Sequence, residues 1–208
     1  MQIAVIGAGN VGTALGSGWS AAGHLVTYGV RNPTDQRYAG HGGKFATIGQ
    51  AVAGAEVVVL ATPWPAIESA LAAAGDLSGK TLIDCTNPLV MDAQGLHLAL
   101  GHTTSCAEKV AALAPGASVF KAFNTTGAEN MARAGSFPTP PVMFVAGDDA
   151  AKKPMVITLA RDLGFDPVDA GPLLNARLLE PLAMLWIDLA LKRGAGRDFA
   201  FALVRRKP

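Results

Sequence analysis

Apolar residues along the chain fall into short blocks separated by segments of helical spacing. The blocks are Gln2–Ile6, His24–Val30, Glu56–Ala61, Thr81–Asp84, Ser118–Ala122, Val142–Ala146 and Phe165–Asp169. They are rich in β-branched residues and lack polar alternation, the pattern of strands buried on both faces of a helix-covered parallel sheet. Between them, Val11, Leu15 and Trp19 share one helical face, as do Pro65, Ile67, Ala70, Leu71 and Ala74, and later Met155, Ile157, Leu159 and Leu163. The alternation predicts an α/β, doubly wound, mostly parallel sheet with right-handed crossovers. A last segment within about 171–192, Pro172–Leu191, is rich in Leu, Ala and Met and opens near Asn175. Pro181 inside it predicts either a kink or a helix that begins there.

Length and composition narrow this picture. At roughly 150 residues per domain, 208 residues are read as a single domain, 1–208, with a C-terminal helical segment. Half the residues are hydrophobic and 16% are charged, which excludes intrinsic disorder. A net charge of +1 gives no reason to expect nucleic acid as a partner. Met1 to Val30 carry no Asp, Glu, Lys or Arg, yet this is not a leader or a membrane span. It has no basic start, it holds seven glycines, and its apolar residues are broken into blocks. With no targeting segment and only two isolated cysteines, Cys85 and Cys106, the expectation is a cytoplasmic protein with two buried thiols and no metal site. The basic end, Arg205, Arg206 and Lys207, reads as a solvated tail.

The most informative motif is Gly7-Ala8-Gly9-Asn10-Val11-Gly12, a G-x-G-x-x-G placed directly after the first strand and before the first helix. In that position Gly7 permits the tight turn, Gly9 lets a pyrophosphate approach the backbone and Gly12 lets the helix pack on the strand. The anion then meets free N–H groups and the positive end of the helix dipole. Dinucleotide binding and a Rossmann-type sheet follow. The second strand runs into Val30-Arg31-Asn32 with no acid before Asp35. An acid there would bond a ribose 2′-hydroxyl, whereas an arginine holds the 2′-phosphate of NADP, so Arg31 is the candidate phosphate ligand, with Arg37 as help.

Three polar clusters follow later strands: Thr62-Pro63-Trp64, Asp84-Cys85-Thr86-Asn87-Pro88 and Lys121-Ala122-Phe123-Asn124-Thr125-Thr126. Ligands of open α/β sheets bind beyond the strands' carboxyl ends, so the three are expected to converge on one cleft. No nucleophile with its base is evident, and His24, His41, His97 and His102 have no apparent carboxylate partner. Hydride transfer between two bound rings needs alignment and exclusion of water more than acid–base groups.

The fingerprint, Thr62-Pro63-Trp64, Asn124-Thr125 and above all Asp169-Ala170-Gly171-Pro172-Leu173-Leu174-Asn175-Ala176-Arg177-Leu178-Leu179-Glu180 resemble the NADP oxidoreductases dependent on coenzyme F420, an 8-hydroxy-5-deazaflavin. The likeness runs from Met1 to about Leu191. Lys-Ala-Phe-Asn-Thr also resembles the reductase domain of the six-transmembrane metalloreductases, which handle NADPH and a flavin. The chain departs from the archaeal deazaflavin pattern at three positions: Asn124 stands where that pattern has a histidine, Val30 where it often has serine, and Ala8 where it has threonine. An amide at 124 can still donate to a ring oxygen or nitrogen.

The resemblance implies NADP(H) on the loop Gly7–Gly12, with its 2′-phosphate on Arg31 beside Asn32 and its nicotinamide framed by Thr62, Pro63, Trp64, Asn87 and Pro88. The hydride partner, coenzyme F420 or a flavin (FMN or FAD), would stack near Asn124, Thr125 and Leu174–Leu178. Three alternatives stay open at this point: a flavin-dependent NADPH reductase that does not use F420, a non-catalytic NADP-binding sensor, and a hydroxyacid or imine dehydrogenase. The last needs a helical domain that the roughly 40 residues after the final strand are too few to build. The apolar terminal segment, with Met184 and Trp186, suits either a homodimer interface or packing on the chain's own sheet.

Overall fold

The computed structural model describes residues 1–206. In chain order its elements are β1 (Gln2–Ile6), α1 (Asn10–Ala21), β2 (Leu25–Val30), β3 (Lys44–Thr47), α2 (Ile48–Ala53), β4 (Val57–Leu60), α3 (Ile67–Ala74) and β5 (Thr81–Asp84). There follow β6 (Leu89–Asp92), β7 (Gly95–Leu98), α4 (Cys106–Leu113), β8 (Ser118–Lys121), α5 (Ala128–Met131), β9 (Val142–Gly147), α6 (Lys153–Asp162), β10 (Asp166–Asp169) and α7 (Ala176–Lys192). Eight strands form one sheet in the order β3-β2-β1-β4-β5-β8-β9-β10, and β6 and β7 make a separate hairpin. Every neighbouring pair in the large sheet is parallel except β8 and β9. The order reverses between β1 and β4, which opens a crevice at their carboxyl ends.

The strands that the apolar blocks predict are all present, and the sheet shows why they lack alternation. In β1, Ile3 and Val5 enter a core shared with Leu15 and Trp19 of α1 and Leu159 of α6. Ala4 and Ile6 enter the opposite core with α2, α3 and α4. Both faces are covered, so a polar residue at either parity would be buried. Trp19, fully buried, fixes α1 against α6 by donating its indole N–H to the Leu159 carbonyl at 2.9 Å.

The apolar pattern misses β3, β6, β7, α2, α4 and α5, which are short. Two carried a readable start signal nonetheless. Thr47 and Gln50 form a reciprocal capping box on α2, and Ser105 accepts from the Glu108 N–H at the start of α4. The buried side of α6 is Val156, Leu159 and Ala160, a slightly rotated version of the expected face.

The terminal helix α7 begins at Ala176, after a single 3-10 turn at Leu173–Asn175, and passes through Pro181 rather than starting there. Its neighbours hold it: Arg177 forks onto Glu108 of α4 with contacts of 2.9 and 2.6 Å. Trp186 is buried, stacked on Phe199 at 5.2 Å with its N–H on the Phe199 carbonyl, and so packs within the chain instead of facing outward. Arg205 is not simply solvated, since it pairs with Asp166 at 2.8 Å, while Lys207 lies outside the described residues. Among the described residues no helix is long and apolar enough to cross a membrane.

Candidate functional site

The turn between β1 and α1 is shaped by what it has no room for. Gly7 sits at φ +104°, where a Cβ would stand 2.6 Å from the Ala61 carbonyl oxygen, and its N–H donates to the Gly29 carbonyl at the end of β2. A Cβ on Gly12 would collide with the Gly7 carbonyl oxygen and press on Val5. These contacts draw α1 onto β1 and bind the loop to both neighbouring strands. Gly9 differs. Its backbone, φ −84° and ψ −170°, suits any residue, and a Cβ there would meet nothing within 4 Å. It caps α1 without a side-chain hydrogen bond, and no acid lies in the first turn, so the positive end of the helix is open to an anion.

Two clefts of about 570 Å³ each meet at this point and share Gly9, Ala61, Thr62 and Pro63. One runs over the ends of β1 and β2 and is lined by Gly7, Ala8, Val30, Arg31, Arg37 and Tyr38, among others. The other runs over the ends of β4 and β5 and is lined by Asn10, Val11, Trp64, Cys85, Thr86 and Asn87. A larger hollow of about 760 Å³ lies at the opposite end of the sheet, around Gln2, Leu25 and Lys44, and includes none of the expected site residues.

Most of the residues singled out from the sequence therefore come together, and the structure sorts the rest. Arg31 is exposed and forms no ion pair among the described residues, whereas Arg37 is engaged by Asp35 at 2.6 Å. That guanidinium holds the Asp35 carboxyl below its ordinary range. Asn32 does not line either cleft; its side-chain oxygen accepts from Thr34 and closes a local turn. Pro88, Asn124 and Thr125 are buried outside the cleft linings, and Leu174 is exposed at the foot of α7. Trp64 forms one wall, with the Lys109 ammonium 5.6 Å from its ring centre.

Asn124 has a role different from the one its amide suggested. Its NH₂ is spent on Asn87 Oδ1 and the Leu179 carbonyl, both at 3.1 Å, and Asn87 in turn donates to the Asn124 carbonyl at 3.0 Å. Two acceptors fix which way the amide points, so Asn124 has no N–H left for a ring. Among the described residues its Oδ1 is buried without a partner, as is Oγ1 of Thr62 in the wall common to both clefts. His24, far from this region, pairs with Asp162 at 2.9 Å, a partner 138 residues away that spacing could not reveal.

Sequence reasoning missed a buried charge cluster next to the second cleft. Lys121 at the end of β8 is fully buried, with its ammonium 2.9 Å from Asp84 of β5 and 2.9 Å from Glu180 of α7. Burial opposes its charge, but the two carboxylates outweigh that and raise its affinity for the proton. Glu180 also accepts from the N–H groups of Cys106 and Ala107, and Asp84 accepts from both the N–H and the hydroxyl of Thr86. Asp84, Cys106 and Glu180 approach as closely as metal ligands, and the cation among them is Lys121. Burial, reinforced by Asp84, pushes the Cys106 thiol up to about 12, and burial raises Cys85 as well.

Comparison with known proteins bears on the fold and the family. Residues 2–88 match the family of coenzyme F420-dependent NADP oxidoreductases. A crystal structure from Arthrobacter sp. FB24, provisionally described as an F420-dependent NADP reductase, superposes with a TM-score of 0.90. It is 33% identical and covers 99% of this chain and 100% of that one. Metalloreductase STEAP3 of Rattus norvegicus is 32% identical over 88% of this chain, which spans only 37% of that protein's length. A reductive aminase from Aspergillus terreus, 23% identical over 93% of this chain and 62% of its own, shares the fold with a TM-score of 0.67.

The thiols give a direct check on the burial described above. With Cys106 at about 12, thiolate is scarce at pH 8.5, and the thiolate is the reactive form. Ellman's reagent is expected to label neither cysteine in the native protein at pH 8.5 and both in denaturant. Because the folded thiol holds its proton above the unfolded value near 8.5, its contribution to stability is full below that pH and declines as pH rises toward 12. Rapid native labelling contradicts the burial.

Proposed function

Since the chain belongs to the family of coenzyme F420-dependent NADP oxidoreductases, we propose that its two clefts together hold one NADP(H), read across a single domain spanning 1–208. The observation that carries this reading is the open space at Gly9. It lies where the clefts meet, at the start of a helix, with Arg31 at one end in no ion pair among the described residues. The fit is supported by Thr62, whose buried hydroxyl lacks a partner in the shared wall, as a site awaiting a polar ligand would have it. Gly7 to Gly12 receive the pyrophosphate, Arg31 the 2′-phosphate, and Thr62, Pro63 and Asn87 frame the nicotinamide, with Pro88 packed behind.

When bound, the cofactor supplies a hydride at its nicotinamide ring. The protein contributes position and exclusion of water. The wall formed by Trp64 and Asn87 aligns the nicotinamide half, and Asn124 and Thr125 brace that wall from behind. We take the hydride partner to be the deazaflavin coenzyme F420. A flavin, FMN or FAD, is the second reading, favoured by the likeness to the metalloreductase over most of the chain. The setting is cytoplasmic in this reading, consistent with two free buried thiols. The leucines exposed on and before α7, Leu174, Leu178 and Leu185, are read as the face of a homodimer.

A charge-assisted phosphate contact is worth about 1.5–3 kcal/mol, or about 10- to 100-fold in affinity. Arg31→Ala is thus expected to raise KM for NADPH at least tenfold and KM for NADH less than twofold, and equal losses sink the phosphate contact. Mixing the NADPH complex with F420, FMN or FAD decides the acceptor: bleaching of F420 supports the first reading, reduction of flavin alone the second. Tight NADPH binding with no acceptor reduced leaves a binding module. Sedimentation equilibrium is expected to give a dimer that Leu178→Glu dissociates, and a wild-type monomer removes that interface.

A further inference from the structure

The buried Lys121 is the least economical residue in the chain, since taking an ammonium out of water costs several kcal/mol before its partners compensate. What its three contacts hold in place explains where it sits. Besides Asp84 and Glu180, the ammonium takes the main-chain carbonyl of Thr86 as its closest partner. Thr86 is fastened from its other side as well: its N–H and hydroxyl are on Asp84 Oδ1, and the same hydroxyl meets the Cys106 sulfur at 2.9 Å. The peptide joining Thr86 to Asn87 is therefore fixed in orientation.

In a trans peptide the N–H points opposite to the C=O. With the Thr86 carbonyl turned to Lys121, the Asn87 N–H points away from the ammonium, and Cys85, Thr86 and Asn87 line the second cleft. No group among the described residues accepts from it. The neighbouring Asn87 side chain is braced separately by Asn124. We propose that Lys121 is a positioning residue: through the Thr86 carbonyl it aims the Asn87 main-chain N–H into the cleft as a donor for the carboxamide oxygen of the nicotinamide. This rests on the reading of the second cleft as the nicotinamide half. Glu180 and Asp84 then serve to keep an ammonium where a neutral donor of the same reach is not available, and α7, which carries Glu180, becomes part of the cleft's support.

The test uses the whole chain with NADP+ and with adenosine 2′,5′-bisphosphate, which fills only the adenosine half. In the wild type, NADP+ is expected to move the Asn87 amide proton downfield in a ¹⁵N-resolved spectrum, and the bisphosphate is expected to leave it in place. An Asn87 amide that stays put at saturating NADP+ overturns the proposal. In the double variant Lys121→Met with Glu180→Gln, which removes one buried charge of each sign, NADP+ affinity should fall about tenfold or more with the bisphosphate affinity unchanged. Equal losses for both ligands, or no loss for either, overturn it too. Should the variant fail to fold, the wild-type amide decides alone. If the wild type binds the bisphosphate but not NADP+, the assignment of the nicotinamide half fails instead.

Discussion

The structure depends on a contact in which two glycines leave no space for a side chain. Gly12 of α1 lies against the carbonyl of Gly7, and Gly7 lies against the carbonyl of Ala61 after β4. The helix can reach the sheet this closely only with bare backbone on both sides, and the approach fixes where its amino end points. That end faces the gap between β1 and β4, where the strand order reverses. The remaining walls of the site are the loops that happen to leave neighbouring strands at the same edge.

A second constraint acts from below those loops. The ends of β5 and β8 carry opposite charges, Asp84 and Lys121, both excluded from water, and α7 adds Glu180. Such a cluster is weak evidence for stability, since apolar residues of equal volume serve as well or better. It does give a unique arrangement, because each group has a directional partner and a slipped packing would strand a charge. The same segment of α7 also receives the Asn124 amide on its Leu179 carbonyl. The terminal helix is thus fastened to the cleft at two adjacent residues.

How much of this was legible depended on how local its cause was. The apolar strands and the glycine turn after β1 are statements about neighbouring residues, and they read directly. Edge strand β3 and the β6–β7 hairpin were invisible because four residues with two or three apolar members carry too little periodicity, although the Thr47 and Ser105 caps marked two of the missed helices. Pro181 was misleading: six residues into α7 it removes one hydrogen bond near the helix start, and the ties of Arg177 and Glu180 to α4 outweigh that loss. The pairs Lys121–Glu180, His24–Asp162 and Asn87–Asn124 join positions 37 to 138 residues apart. No spacing rule reaches so far. Trp186 stayed open between a partner and the chain's own packing because its cover, Phe199, comes from a segment with no periodic structure of its own.

Gly9 is the one glycine of the loop that the folded chain itself does not require. Its backbone conformation admits alanine and its Cβ direction is empty, so only a bound diphosphate would object to a methyl group there. The decisive measurement is the affinity of Gly9→Ala for NADPH, followed by nicotinamide fluorescence, beside its thermal unfolding. A Tm within a few degrees of wild type and NADPH binding weakened about a hundredfold are expected. A variant that is equally stable and binds NADPH as tightly as the wild type would contradict a diphosphate at Gly9.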